Sequence, residues 1–291
     1  MERRGAGAEQ KGEIMGGILA TCVTPHPPLL IPEIGGRELR KVESTSSAMM
    51  RLAELVGELS PEVLVIVSPH SPFYADGFAV KLGDVLQGNF GQFGCARVGA
   101  SKQVDGDLAA ALLGLAQEEG LPLAGVQHER GAWSSETDVL DHGLLVPLYF
   151  LDSKFDCPIV SLSISGLSYR LHASLGRLVA QACEQTGRRA VFVASGDLSH
   201  RLIPGAPAGY SPRGEDFDRR IVEIARTGKF EELTDLPGEL VAEAGECGLR
   251  SLHMMGGVLG GLACENQMLS YEGPFGVGYM VSFHRLMEEQ G

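Results

Sequence analysis

The chain has 291 residues, 44% of them hydrophobic and 21% charged, which is too apolar for intrinsic disorder and long enough for one large or two modest domains. Lys and Arg number 24 against 37 Asp and Glu, and the net charge of −13 argues against a nucleic-acid backbone as partner. No apolar run is long enough to span a membrane, and the cysteines at 22, 95, 157, 183, 247 and 264 form no CxxC pair, a pattern suited to a reducing cytoplasm.

Residues 1–15 are polar and Gly/Ala-rich, lack the apolar stretch of a secretory signal and end at a second Met, so they read as a disordered N-terminal extension. Short, near-continuously apolar runs follow at Ile18–Val23, Val63–Val67, Pro158–Ile164, Ala190–Ala194 and Val277–Phe283. Runs of this kind are expected of strands buried on both faces. Helical stripes lie between them: Met49, Leu52, Leu55, Val56 and Leu59; Leu108, Leu112, Leu115 and Ala116; Leu175, Leu178, Val179 and Ala182; Phe217, Ile221, Ile224 and Ala225. A glycine-rich helix is expected over Leu249–Ala263. The alternation predicts one α/β domain over 16–291, an α/β/α sandwich with a central mixed, largely parallel sheet. Residues 201–216 are turn-rich and read as a long loop over a site. Their Pro and Gly residues would hinge a lid whose Tyr210 stacks on an aromatic ring; the alternative is a passive surface loop.

Two of the strands end in matching punctuation, Thr24-Pro25-His26-Pro27-Pro28 and Ser68-Pro69-His70-Ser71-Pro72. Proline stiffens both loops, and the carboxyl ends of α/β strands are where ligands bind, so His26 and His70 are candidates for one shared metal. A third strand runs into Ser195-Gly196-Asp197-Leu198-Ser199-His200, an arrangement suited to proton transfer at His200. Asp197 would orient or balance that imidazole, or cap a helix. A Ser195–His200 nucleophilic pair lacks the GxSxG setting. Glu246, in Glu243-Ala244-Gly245-Glu246-Cys247-Gly248, would complete a 2-His-1-carboxylate face for Fe(II), with Glu243 and Cys247 as competitors and Zn²⁺ as the other metal. His142 follows Asp141 ahead of an apolar stretch containing Pro147, while His128, His172, His253 and His284 read as surface or core histidines.

The segments TPHPPLL (24–30), SPHSP (68–72), LDHGLLVPLYFL (140–151), SGDLSH (195–200) and GECGLRS (245–251), in this order, resemble the class III extradiol ring-cleavage dioxygenases. The likeness is to the catalytic subunit-B type, as in the β-subunit of protocatechuate 4,5-dioxygenase. Within it, the chain is similar to the dioxygenase-like component of the AmmeMemoRadiSam system, a branch related to Memo proteins. The resemblance runs from about Ile18 to about Arg285. It implies that His26, His70 and Glu246 bind Fe(II), that His200 is the acid/base, and that His142 stands just behind the metal ligands. It further implies a catechol or aminophenol substrate, O₂ as co-substrate and no organic cofactor. Memo proteins carry a Cys at a position resembling Cys247, which leaves a metal-binding or redox module without ring cleavage as an alternative, and a Zn-dependent hydrolase as another. The branch also implies a separate partner polypeptide, and the sheet edge and glycine-rich helix faces are compatible with a homodimer.

Overall fold

Along strand β2 (Val63–Ser68) every residue is buried, and successive side chains enter opposite layers. Val63, Val65 and Val67 join an apolar cluster with Leu108, Leu175, Phe217 and Leu252, whereas Leu64 and Ile66 join a second one with Met49, Leu52, Leu144 and Leu148. A strand with apolar residues on both faces is stable only between two helical layers, which gives the α/β/α sandwich anticipated above. The computed structural model describes residues 16–127 and 139–287; the expected extension over 1–15 lies outside them.

The sheet has eight strands in the order β6-β3-β7-β2-β8-β1-β10-β9. Its centre is parallel: β7 (Ile159–Ser163), β2, β8 (Arg189–Ser195) and β1 (Gly17–Thr24) run the same way. On one side β10 (Tyr279–Leu286) and β9 (Cys264–Glu272) add antiparallel strands. On the other, β3 (Phe78–Lys81) pairs antiparallel with β7 and parallel with β6 (Leu123–Val126). The sheet is therefore mixed and mostly parallel. A separate hairpin is formed by β4 (Val85–Phe90) and β5 (Cys95–Gln103).

The short α1 (Pro32–Gly35) precedes α2 (Glu43–Leu59), which shares one face of the sheet with α4 (His142–Leu151). The other face carries α3 (Gly106–Glu118), α5 (Tyr169–Thr186), α6 (Arg213–Thr227), α7 (Gly238–Ala244) and α8 (Leu249–Leu259). The strand expected over 277–283 is shifted to Tyr279–Leu286, and other segments add detail or differ from expectation. The stretch after Asp141 is a helix despite Pro147, because burial of Leu144, Leu145, Leu148 and Leu151 outweighs the lost backbone hydrogen bond. The glycine-rich helix stops at Leu259, before Ala263. The loop expected to end at residue 216 gives way to α6 at Arg213. Among the described residues, no helix is long and apolar enough to cross a membrane.

Candidate functional site

Strand order brings the two histidine loops together. β8 lies between β2 and β1, with Val67 opposite Ala194 and Thr24 opposite Ser195. His26 and His70 each follow their strand end by two residues, so both loops lean over the end of β8 from opposite sides. Their Nε2 atoms come to 3.0 Å. His26 is almost fully buried, and its Nδ1 shares a 3.0 Å hydrogen bond with Ser195 Oγ. With the Nδ1 proton donated to that hydroxyl, the Nε2 lone pair points to the shared centre. Ser195 is thus partnered with His26.

The third group arrives from the turn between α7 and α8. Gly196 and Gly248 cross so closely that a Cβ on Gly196 would sit 2.3 Å from the Gly248 Cα. The crossing is fastened by the Asp197 carbonyl, which accepts from Gly248 N at 3.0 Å and Cys247 N at 3.4 Å. Cys247 Sγ is thereby set 3.6 Å from His26 Nε2. The ligand atoms of His26, His70 and Cys247 all lie within 4.8 Å of one another. Two imidazoles and a thiol converging in this way fit a transition-metal ion such as iron or zinc.

Glu246 is placed differently. Its Oε2 accepts from Leu249 N at 2.5 Å, capping the start of α8, and the carboxylate faces Tyr169 and Arg250. Burial raises its pKa, opposed by those backbone and guanidinium contacts. Glu243 accepts from Ser211 Oγ at 2.7 Å. The structure therefore groups Cys247, and neither of these acids, with the two histidines.

Asp197 caps no helix. It accepts from His26 N at 3.0 Å and holds Oδ2 3.9 Å from His26 Nε2, and burial pushes its pKa up to about 7. His200 Nδ1 is 3.0 Å from the Leu198 carbonyl, which can only accept, so the proton sits on Nδ1 and the Nε2 lone pair is free to take another. His142, the first residue of α4, lies 4.0 Å ring-to-ring from His70 and 5.4 Å from His26. Burial lowers the pKa of all four imidazoles: His26 well below the ordinary range, helped by His70, His142 and His200; His142 to about 4; His70 and His200 in the same direction. Neutral imidazoles keep the lone pairs that metal binding and base chemistry need. Burial, aided by Asp197, also raises the Cys247 thiol well above its ordinary value.

Two neighbours had been given no role from the sequence. Asp141 accepts from Ser68 Oγ at 2.6 Å and Ser71 Oγ at 2.8 Å, linking the His70 loop to α4. Phe93, at the tip of the β4–β5 hairpin, meets the His142 ring edge-on at 5.4 Å. The DHG punctuation pointed to Asp141, while nothing in the polar hairpin marked Phe93. The remaining histidines stand apart: His172 and His284 are buried and hydrogen-bonded, His253 is buried against Tyr169 in a 4.4 Å stack, and His128 lies outside the described residues. In the 201–216 segment, Ala208 N and Ser211 N bond back to His200 O and Arg201 O, with Tyr210 exposed.

A family model described as the catalytic LigB subunit of aromatic ring-opening dioxygenase matches residues 20–282. Protein CA_C1420 of Clostridium acetobutylicum is 35% identical over 258 residues, covering 88% of this chain and 55% of that protein. The chain thus spans about half the length of that relative. A 2-aminophenol 1,6-dioxygenase beta subunit from a Pseudomonas species is 27% identical over 80% of the chain and 81% of its own length. The 3,4-dihydroxyphenylacetate 2,3-dioxygenase of Escherichia coli is 29% identical over 42% of this chain and 47% of its own length. In three dimensions, the crystal structure of an uncharacterized protein, JW3007, from Escherichia coli K12 aligns with a TM-score of 0.60 at 19% identity. That alignment covers 92% of this chain and 99% of the other, and shows a shared fold.

Proposed function

The chain belongs to the family of catalytic LigB subunits of aromatic ring-opening dioxygenases, and from that premise we propose that it is an Fe(II)-dependent extradiol dioxygenase acting on a catechol or aminophenol. The observation that carries the reading is the convergence of His26, His70 and Cys247 at the carboxyl end of the parallel strands, with His200 beside them. The names of the Pseudomonas and Escherichia relatives support an ortho-substituted aromatic substrate. Iron held by these three side chains would supply the one-electron chemistry that O₂ requires.

The protein's own residues handle protons and placement. His200 Nε2 accepts the proton of a substrate hydroxyl and later returns it, the Leu198 carbonyl keeping its tautomer fixed. Asp197 holds the His26 backbone and the Cys247 turn in register. His142 and Phe93 wall the side of the site next to His70. The beta-subunit name of one relative supports a separate polypeptide partner, of the AmmeMemoRadiSam type or another, besides self-association as a homodimer. Cysteines without disulfides fit a cytoplasmic setting.

A second reading is favoured by one feature, the thiol in place of a carboxylate: a Memo-like metal-binding or redox module that opens no ring. The two separate in one experiment. Protein loaded anaerobically with Fe(II) is given a catechol and aminophenol panel and then O₂. The first reading expects a ring-fission chromophore that His200→Gln abolishes without loss of iron. Iron-loaded protein that opens no ring in the panel refutes it in favour of the second.

A further inference from the structure

The carboxylate of Asp141 touches no candidate ligand, yet it joins the segments that carry two of the clustered imidazoles. Oδ1 accepts from Ser68 Oγ at 2.6 Å and from Gly143 N at 2.9 Å, and Oδ2 accepts from Ser71 Oγ at 2.8 Å. Ser68 Oγ in turn accepts from His70 N at 3.1 Å. One side chain thus binds both flanks of His70 and the first turn of α4, where His142 begins the helix. The buried Lys81 of β3 supports it from behind, with Nζ 3.7 Å from Asp141 Oδ2 and 2.5 Å from the Val139 carbonyl.

We propose that Asp141 is a positioning residue that holds His70 and His142 in the arrangement the metal centre needs. The inference rests on the reading of His26, His70 and Cys247 as metal ligands. Two carboxylate oxygens accept three hydrogen bonds here and face an ammonium as well. Pro69 and Pro72 stiffen the loop over 69–72, but serine hydroxyls rotate freely, so the fixed acceptor on each side is what anchors the loop where His70 Nε2 stands 3.0 Å from His26 Nε2. Groups that orient ligands from outside the coordination sphere typically matter 10–100-fold in metal affinity.

Asparagine at 141 keeps one oxygen for Ser68 and the helix cap, but turns an amide donor toward Ser71 and Lys81. Because that change also disturbs the buried Lys81, Asp141→Asn is paired with the double variant Asp141→Asn/Lys81→Met, which removes both charges together. The test is an anaerobic Co²⁺ titration of the chelator-treated full chain, against a competing chelator, well below the melting temperature. The thiolate-to-cobalt absorption reports occupancy. Wild-type protein is expected to bind Co²⁺, with both variants roughly 10–100-fold weaker and reaching the same absorption at saturation. Affinity equal to wild type within twofold in either variant overturns the positioning role and leaves the metal reading standing. Wild-type protein that takes up no Co²⁺ overturns both.

Discussion

Which neighbour of the α7–α8 turn supplies the third ligand is decided by two substitutions one residue apart. Cys247→Ser removes the sulfur that stands 3.6 Å from His26 Nε2, whereas Glu246→Gln keeps an oxygen for the Leu249 N–H. Structural zinc sites with four ligands contribute about 10–16 kcal/mol, or about 3 kcal/mol per ligand on an even split. Loss of one of three donors then weakens binding about 100-fold, since about 1.4 kcal/mol is tenfold. Glu246→Gln alters no atom of the cluster and is expected to change affinity less than threefold. The fold survives both, because the weak Asp197 N–Cys247 Sγ contact at 3.3 Å and the cap at α8 each contribute on the order of 1 kcal/mol. Zn²⁺ affinity is read by competition with a chromophoric chelator, with unfolding of the metal-free proteins as control. Tight binding by Cys247→Ser together with collapse in Glu246→Gln would refute the reasoning and restore the carboxylate face expected from sequence.

Burial holds Asp218 up to about 7, against an ordinary 3.8, where it accepts from Ser199 N and Tyr271 OH with Glu215 and Glu246 nearby. The native state therefore keeps a proton that the unfolded chain releases near pH 4, so this group costs stability as pH rises from about 4 to 7. Asp218→Asn should flatten that slope in urea unfolding of metal-free protein between pH 5 and 8, and parallel wild-type and variant curves would contradict the assignment. Gly257 packs α8 against α5 so tightly that a Cβ would stand 1.9 Å from the Ala173 carbonyl oxygen. Gly257→Ala should lower stability by about 1–3 kcal/mol despite alanine's better helix propensity, a loss visible in the urea midpoint; an unshifted midpoint would show that the helices part freely.

The strands read most easily from sequence are those enclosed on both faces, β1, β2, β7 and β8, because burial writes itself as unbroken apolar runs such as Val63–Val67. The β4–β5 hairpin stayed hidden for the opposite reason: Gln87, Asn89, Arg97 and Ser101 face solvent and leave little pattern. β3 was masked by Lys81, a charge buried beside Asp141. At the site, the matched Pro-His step after each strand, Pro25-His26 and Pro69-His70, sufficed to pair His26 with His70, since both loops stiffen at the same offset from their strands. Spacing could not choose between Glu246 and Cys247. Neighbouring side chains leave a turn in different directions, and the direction here follows from the Gly196–Gly248 crossing, which sets Asp197 against Cys247, 50 residues apart in the chain.

The three converging donors come from residues 26, 70 and 247, so the centre exists only after distant stretches of chain have met. An ion seated there is a cross-link between the first strand and the last helical hairpin. By mass action, at a hundred times its dissociation constant it would add about 2.7 kcal/mol to the native state. Chains in which those stretches have not yet met would lack the full set of donors, and stripping the ion from a finished molecule would slacken the tie between the end of β1 and the α7–α8 turn.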